Sequence, residues 1–97
     1  MIKSDLIQLV AHAAGVNPAG VRQVLAATLH IIQEAVAKGE AVQLAGFGKF
    51  FPVSRPARPR RNPSTGAPVM APPTTVPRFH VGAGFKAAVV RQSVQAE

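Results

Sequence analysis

"PVSRPARPRRNPSTGAPVMAPPTTVP", residues 52–77, carries eight of the chain's nine prolines and four of its arginines. How this stretch is read decides the fold. A basic, proline-rich tract with few large apolar residues buries too little surface to offset chain entropy, and such tracts are often disordered. Against that, Val53, Val69, Met70 and Val76 flank a central turn almost symmetrically. Asn62-Pro63 followed by Thr65-Gly66 is turn chemistry. An extended hairpin with its tip at 62–66 accounts for the composition equally well.

The prolines constrain any such hairpin. Alternate N–H groups of an antiparallel strand face the partner, and proline has none to offer. Pro52 and Pro56 share one parity while Pro59 and Pro63 have the other; on the return, Pro68 and Pro72 share one and Pro73 and Pro77 the other. All of them can face away from the pairing only if each strand slips by one residue midway. A bulge or ladder break is therefore predicted between Pro56 and Pro59, and another at Pro72-Pro73. The same slip is predicted to turn Arg55, Arg58 and Arg61 toward one groove.

Charge follows the same division of the chain. The 97 residues hold 11 Lys+Arg against 4 Asp+Glu, a formal net charge of +7. Residues 1–45 are balanced, with Lys3, Arg22 and Lys38 against Asp5, Glu34 and Glu40. Every unmatched cation lies in 46–97, where no acid occurs between Ala41 and Ala96. A solubilising surface mixes signs; this half does not. It calls for a polyanionic partner: nucleic acid, an anionic membrane or an acidic protein.

The first half reads as helices. In 4–14, Leu6, Ile7, Val10, Ala11 and Ala14 keep the 3.6-residue period. Ser4 is the expected N-cap, Asp5 suits the first turn and Gly15 ends the helix. Asn17-Pro18 restarts it as cap and first helical residue. An apolar stripe from Val21 to Val36 then runs to a stop at Lys38-Gly39. The short connection predicts an antiparallel helix pair. "AVQLAGFGKFFPV", 41–53, predicts two short strands around a Gly46/Gly48 turn. "VPRFHVGAGFKAAVVRQSVQ", 76–95, returns to the body and closes in a helix with Phe85, Ala88 and Val89 on one face.

If 52–77 projects, about 70 residues remain for the body, a size at which one core is marginal alone. Cysteine is absent, so no disulfide staples it. All five phenylalanines lie beside the base of the hairpin or in the last helix. A core shared between two chains, an intertwined homodimer, resolves the deficit.

These residues reach a family. "GFGKF" at 46–50, "RPARPRRNPSTG" at 55–66 and "VPRFHVGAGFK" at 76–86 resemble the bacterial histone-like HU and integration host factor family. The resemblance covers the chain to about residue 90, with "RQSVQAE" as an appended tail. It implies an α+β intertwined homodimer forming one domain over 1–97. Its parts would be a helical base (1–39), a saddle of three strands with a C-terminal helix (40–51 and 76–97), and a β-ribbon arm (52–75). The implied role is architectural: largely nonspecific binding, bending and condensation of double-stranded DNA in the nucleoid of the cytoplasm, with bent, nicked or distorted duplex preferred.

Within that role, Pro63 matches the family's wedge, which enters a base step and kinks the duplex. Arg61 and Asn62 would contact the minor groove beside it, and Arg55, Arg58 and Arg60 would follow the groove wall. Backbone N–H groups around Gly46 and Gly48, with Lys3 and Lys86, would hold the flanking DNA. Leu25, Leu29, Ile32, Leu44, Phe47, Phe50, Phe79 and Phe85 would form the dimer core. Ala45, where the site-reading subunit of integration host factor carries arginine, favours the nonspecific HU type over a site-specific subunit. His80 and Ala83 stand where relatives often carry cations, so flank contacts should be thinner.

Other classes fit less well. Four carboxylates, three scattered histidines and no cysteine leave no acid–base pair or metal cluster near the basic half, so neither an enzyme, a metal, a cofactor nor a small-molecule substrate is expected. Gly46-Phe-Gly48 and Gly82-Ala-Gly84 are turns, not phosphate loops. His30 and Glu34 are an ordinary i,i+4 pair. The N-terminus, amphipathic and interrupted by Asp5, Gln8 and His12, is a helix of the fold and not a signal peptide. No apolar run reaches membrane-spanning length. A module binding RNA or an acidic protein through the same arm remains the alternative.

Overall fold

The computed structural model describes residues 1–95, and the fold is α+β. Two compact units divide it, Met1–Glu34 and Ala35–Glu97. Helix α1 spans Lys3–Ala14, α2 spans Pro18–Ala37 and α3 spans Ala83–Gln95. The appended residues 91–95 thus continue α3, and the end of that tail, 96–97, lies outside the described residues.

In the first unit, the start of α1 differs from expectation. Ser4 lies inside the helix and Ile2 is the N-cap, its N–H donating to Asp5 Oδ2 at 2.9 Å. A carboxylate reaching back over the first turn is a charged acceptor beside the positive helix end. It therefore fixes the start two residues earlier than a hydroxyl at Ser4 would. Gly15, at φ 69°, closes the helix by donating to the Ala11 carbonyl at 3.0 Å. Asn17 caps α2 as expected, Oδ1 accepting from the Gly20 N–H at 2.7 Å. Ile7, Ala11 and Val21 are buried together with Leu25 packed against them.

In the second unit, α2 ends at Ala37 and Gly39, φ 95°, turns the chain away, with Glu40 N–H donating to the Ala35 carbonyl at 2.9 Å and Gly39 N–H to the Val36 carbonyl at 3.0 Å. Those two bonds satisfy carbonyls the helix leaves orphaned. Strands β1 (Val42–Leu44) and β2 (Gly48–Arg55) follow, then β3 (Arg58–Arg61), β4 (Pro68–Ala71) and β5 (Thr74–Val81). They form a three-stranded sheet ordered β1-β2-β5 and a separate two-stranded ribbon, β3-β4. The hairpin reading of 52–77 holds.

So does the ladder break. Pairing of β2 with β5 stops at Arg55↔Thr74, and β3 with β4 resumes at Arg58↔Ala71, leaving Pro56-Ala57 and Pro72-Pro73 outside both ladders. Pro52 lies opposite Pro77; since neither can donate, that pair occupies a non-hydrogen-bonded position, and even-numbered residues of β2 share it. In β3 the odd-numbered Pro59 must occupy such a position, opposite Met70. Parity has therefore switched in both strands. Because both slip together, the register across the hairpin is unchanged.

Alternation gives β2–β5 two unlike faces. Phe50 pairs with Phe79 on one face, beside Gly48 and Val81. Ring centroids of Phe50 and Phe79 lie 4.7 Å apart, and Phe47 and Phe85 complete the cluster at 5.1 Å from each other. Phe51, one residue on, takes the opposite face.

The turn of the β1–β2 hairpin docks on the start of α3 through backbone hydrogen bonds as well as the Phe47–Phe85 contact. Gly82 N–H donates to the Phe47 carbonyl at 2.8 Å and Phe85 N–H to the Gly46 carbonyl at 3.0 Å. A Cβ on Gly82 would stand 2.8 Å from the Phe47 carbonyl carbon, closer than real Cβ atoms come, and 3.0 Å from the Gly48 nitrogen, a tight contact. Gly82→Ala is accordingly expected to lower stability by about 1–3 kcal/mol, read as an earlier urea midpoint. An unchanged midpoint would contradict this packing.

Candidate nucleic-acid interface

The outer ribbon presents the cations. Arg58, Arg60 and Arg61 are all exposed on β3. Arg55 ends β2, half-buried. Strict alternation within β3 places Arg58 and Arg60 on one face and Arg61, with Pro59, on the other. The expectation that Arg55, Arg58 and Arg61 would turn to one side therefore fails. The break lies before Arg58, so it re-aims Arg55 relative to β3 but cannot bring together two residues three apart within one regular strand.

The tip is a closed network of short bonds. Asn62 N–H donates to the Ala67 carbonyl at 2.9 Å, and Gly66 N–H returns to the Asn62 carbonyl at 2.7 Å. Asn62 Oδ1 accepts from the Ser64 N–H at 2.8 Å, and Thr65 Oγ1 from the Ala67 N–H at 3.2 Å. Gly66 supplies the left-handed residue that the reversal needs, at φ 72°. Pro63 sits exposed at the apex of this turn.

The remaining predicted contacts are dispersed. Lys3 opens α1 in the first unit, whereas Lys86 is exposed on α3 in the second. Of the backbone amides near Gly46 and Gly48, that of Phe47 already donates to the Leu44 carbonyl at 3.0 Å. Gly48 is buried and paired with Leu44.

Sequence reasoning missed one basic surface. The register puts Lys49, Phe51 and Arg55 of β2 on the same face as His80 and Arg78 of β5, with Lys49 directly opposite His80 and Phe51 opposite Arg78. Lys49 Nζ lies 5.6 Å from the centroid of the Phe51 ring, a cation–π contact that lays the long side chain along the sheet. This face carries Lys49, Arg55 and Arg78, with His80 beside them, while its reverse carries the phenylalanine cluster. The signal was present in the odd spacing of Lys49, Phe51 and Arg55, but Arg78 and His80 join them only once the cross-strand register is known.

The sequence profile of the bacterial DNA-binding protein family matches residues 1–90. The chain belongs to the bacterial HU family. It is 45% identical over 89 residues to the DNA-binding protein HU of Pasteurella multocida, covering 92% of this chain and 99% of that one. It is 39% identical over 93 residues to HU of Campylobacter jejuni, covering 96% and 95%. Among solved structures, an HU–DNA cocrystal from Anabaena superposes with a TM-score of 0.87 at 42% identity, covering 92% of this chain and 97% of that chain. HU from Thermotoga maritima gives 0.67 at 35% identity, with 92% and 98% coverage. Among the described residues, no helix is long and apolar enough to cross a membrane.

Proposed function

We propose that this chain is an architectural protein of the nucleoid, binding and bending double-stranded DNA with little sequence preference. One observation carries the reading: a proline held at the apex of a hydrogen-bonded turn, at the end of a ribbon whose approach strand is nearly all arginine. Minor-groove architectural proteins, HU and integration host factor among them, insert an apolar wedge between base steps and kink the duplex. Pro63 suits that role because its ring is apolar and its φ is fixed. Arg58, Arg60 and Arg61, split between two ribbon faces, suit the two phosphate walls of one groove. Lys49, Arg55 and Arg78 extend the positive surface down the inner sheet, and Lys3, Lys86 and the Gly46–Gly48 turn are proposed to meet the flanks. Duplexes already bent, nicked or mismatched should bind best, since part of the deformation is already made.

The working species is proposed to be an intertwined homodimer, with 1–39 as base, 40–51 and 76–97 as saddle and last helix, and 52–75 as arm. The support is a shortage of interior. Among the described residues only Ile7, Ala11, Val21 and Val36 are buried hydrophobics, while Phe47 is 45% exposed and Phe79 39%. Phe79, Val81, Phe85, Val89 and Val90 line an apolar concavity of about 740 Å³. Burying a phenylalanine yields roughly 1.5–3 kcal/mol, so a second copy of this surface, closed over Leu25, Leu29, Ile32, Leu44, Phe47, Phe50, Phe79 and Phe85, would supply the core one chain lacks.

Three outcomes test the reading. Sedimentation should give twice the chain mass at micromolar concentration, and Phe79→Ala should shift that equilibrium toward monomer; a monomeric native protein removes the shared core. Affinity should fall with salt at a slope of about −0.9 per phosphate contact, and Arg58→Ala, removing one contact per arm, should flatten the slope by about 2 units on every sequence. Pro63→Ala should keep that slope and lose bending in an end-to-end FRET measurement. Equal bending would take Pro63 out of the mechanism, and preference for RNA over duplex in direct competition would transfer the arm to another partner.

A further inference from the structure

Asn62 is half-buried while its neighbours from Arg58 to Met70 are exposed, although it carries a polar side chain at the tip of the ribbon. Its interactions explain this. Backbone N–H and carbonyl are both engaged, to Ala67 at 2.9 Å and from Gly66 at 2.7 Å, and its side-chain Oδ1 takes the Ser64 N–H at 2.8 Å. The last bond passes over Pro63. It links the residue before the proline to the residue after it.

That placement has a specific consequence. The pyrrolidine ring fixes φ of Pro63 but leaves ψ free. A bond from residue 62 to the amide of residue 64 closes a ring through Pro63, an Asx turn, and so restrains ψ. Ring and turn together leave the apex residue without a soft backbone torsion. Asn62 Oδ1 is committed to the turn, so only its Nδ2 amide is left to face the acceptors of a minor groove.

We infer that Asn62 is a positioning residue for Pro63, acting through the Oδ1–Ser64 bond. The inference rests on the wedge reading of Pro63. An apex free to rotate in ψ must be ordered at the moment of insertion, and that cost falls on the kinked complex alone. Charge-driven association along Arg58, Arg60 and Arg61 is untouched. Asn62 therefore governs the fraction of complexes that are kinked more than the amount of protein bound.

The test compares wild type, Asn62→Ala and Asn62→Ser on one linear duplex, after sedimentation and circular dichroism establish that all three share one fold and mass. A serine hydroxyl can still accept from the amide two residues on, whereas alanine cannot, and both lack the carboxamide. Asn62→Ala is expected to lower the kinked fraction by about two- to tenfold, the range one modest hydrogen bond supplies, with an unchanged salt slope. Asn62→Ser should recover most of the kinked fraction. In the DNA-free proteins, hydrogen exchange at the Ser64 amide should be slower in wild type and Asn62→Ser than in Asn62→Ala. Equal kinking by wild type and Asn62→Ala, a serine variant that behaves like alanine, or identical Ser64 exchange in all three would each overturn the inference. A wild type that leaves the duplex straight would instead overturn the wedge reading beneath it.

Discussion

The missing N–H of proline organises the second half of this chain. A regular hairpin through 52–77 would present several prolines to the pairing side, each removing a ladder bond and leaving an opposing carbonyl without a partner. The chain avoids this by ending one ladder at Arg55↔Thr74 and starting another at Arg58↔Ala71. Both strands are interrupted at the same height, so the parity of each changes while their mutual register does not. The arm is consequently two short ladders in series, and the cations are distributed by where the interruption falls.

The same alternation makes the inner sheet two-sided. One face stacks Phe50 on Phe79 beside Phe47 and Phe85, with rings 4.7 to 6.4 Å apart. The other carries Lys49, Arg55, Arg78 and His80 around Phe51. A sheet with this composition has a face to bury and a face to charge. In the proposed dimer the apolar face would meet its own copy, and in the proposed complex the cationic one would meet DNA. Glycines at 82 and 84 let the hairpin turn approach the start of α3 through backbone contacts. That contact holds Phe47 and Phe85 in one cluster.

Much of this was legible in the sequence because it depends on local chemistry. Helix limits followed from Gly15, Asn17-Pro18 and Gly39, and the interruptions near Pro56 and Pro72 followed from counting parity. The failures share a cause: each needed a choice among competing partners. Ser4 was a sound cap in isolation, but Asp5 reached the Ile2 amide with a charged oxygen. Arg58 and Arg61 seemed able to converge, yet the position of the break left both within a single regular strand. The face joining Lys49 to His80 and Arg78 could not be read before the register, since nothing in either strand alone says which residues it meets. The tip network was hidden for a similar reason. Asn-Pro announces a turn, but not which oxygen closes it.

Two physical terms separate along the arm. Attraction of arginines to phosphate is long-ranged, screened by salt and tolerant of geometry. Insertion between stacked bases is short-ranged and depends on a single apex keeping its shape while the duplex deforms around it. Charge can therefore be spread across both faces of β3 without loss, and it is. Rigidity cannot be spread, and here it is concentrated in one turn, where the proline ring, the Asn62 and Thr65 side-chain bonds and a left-handed Gly66 leave little freedom.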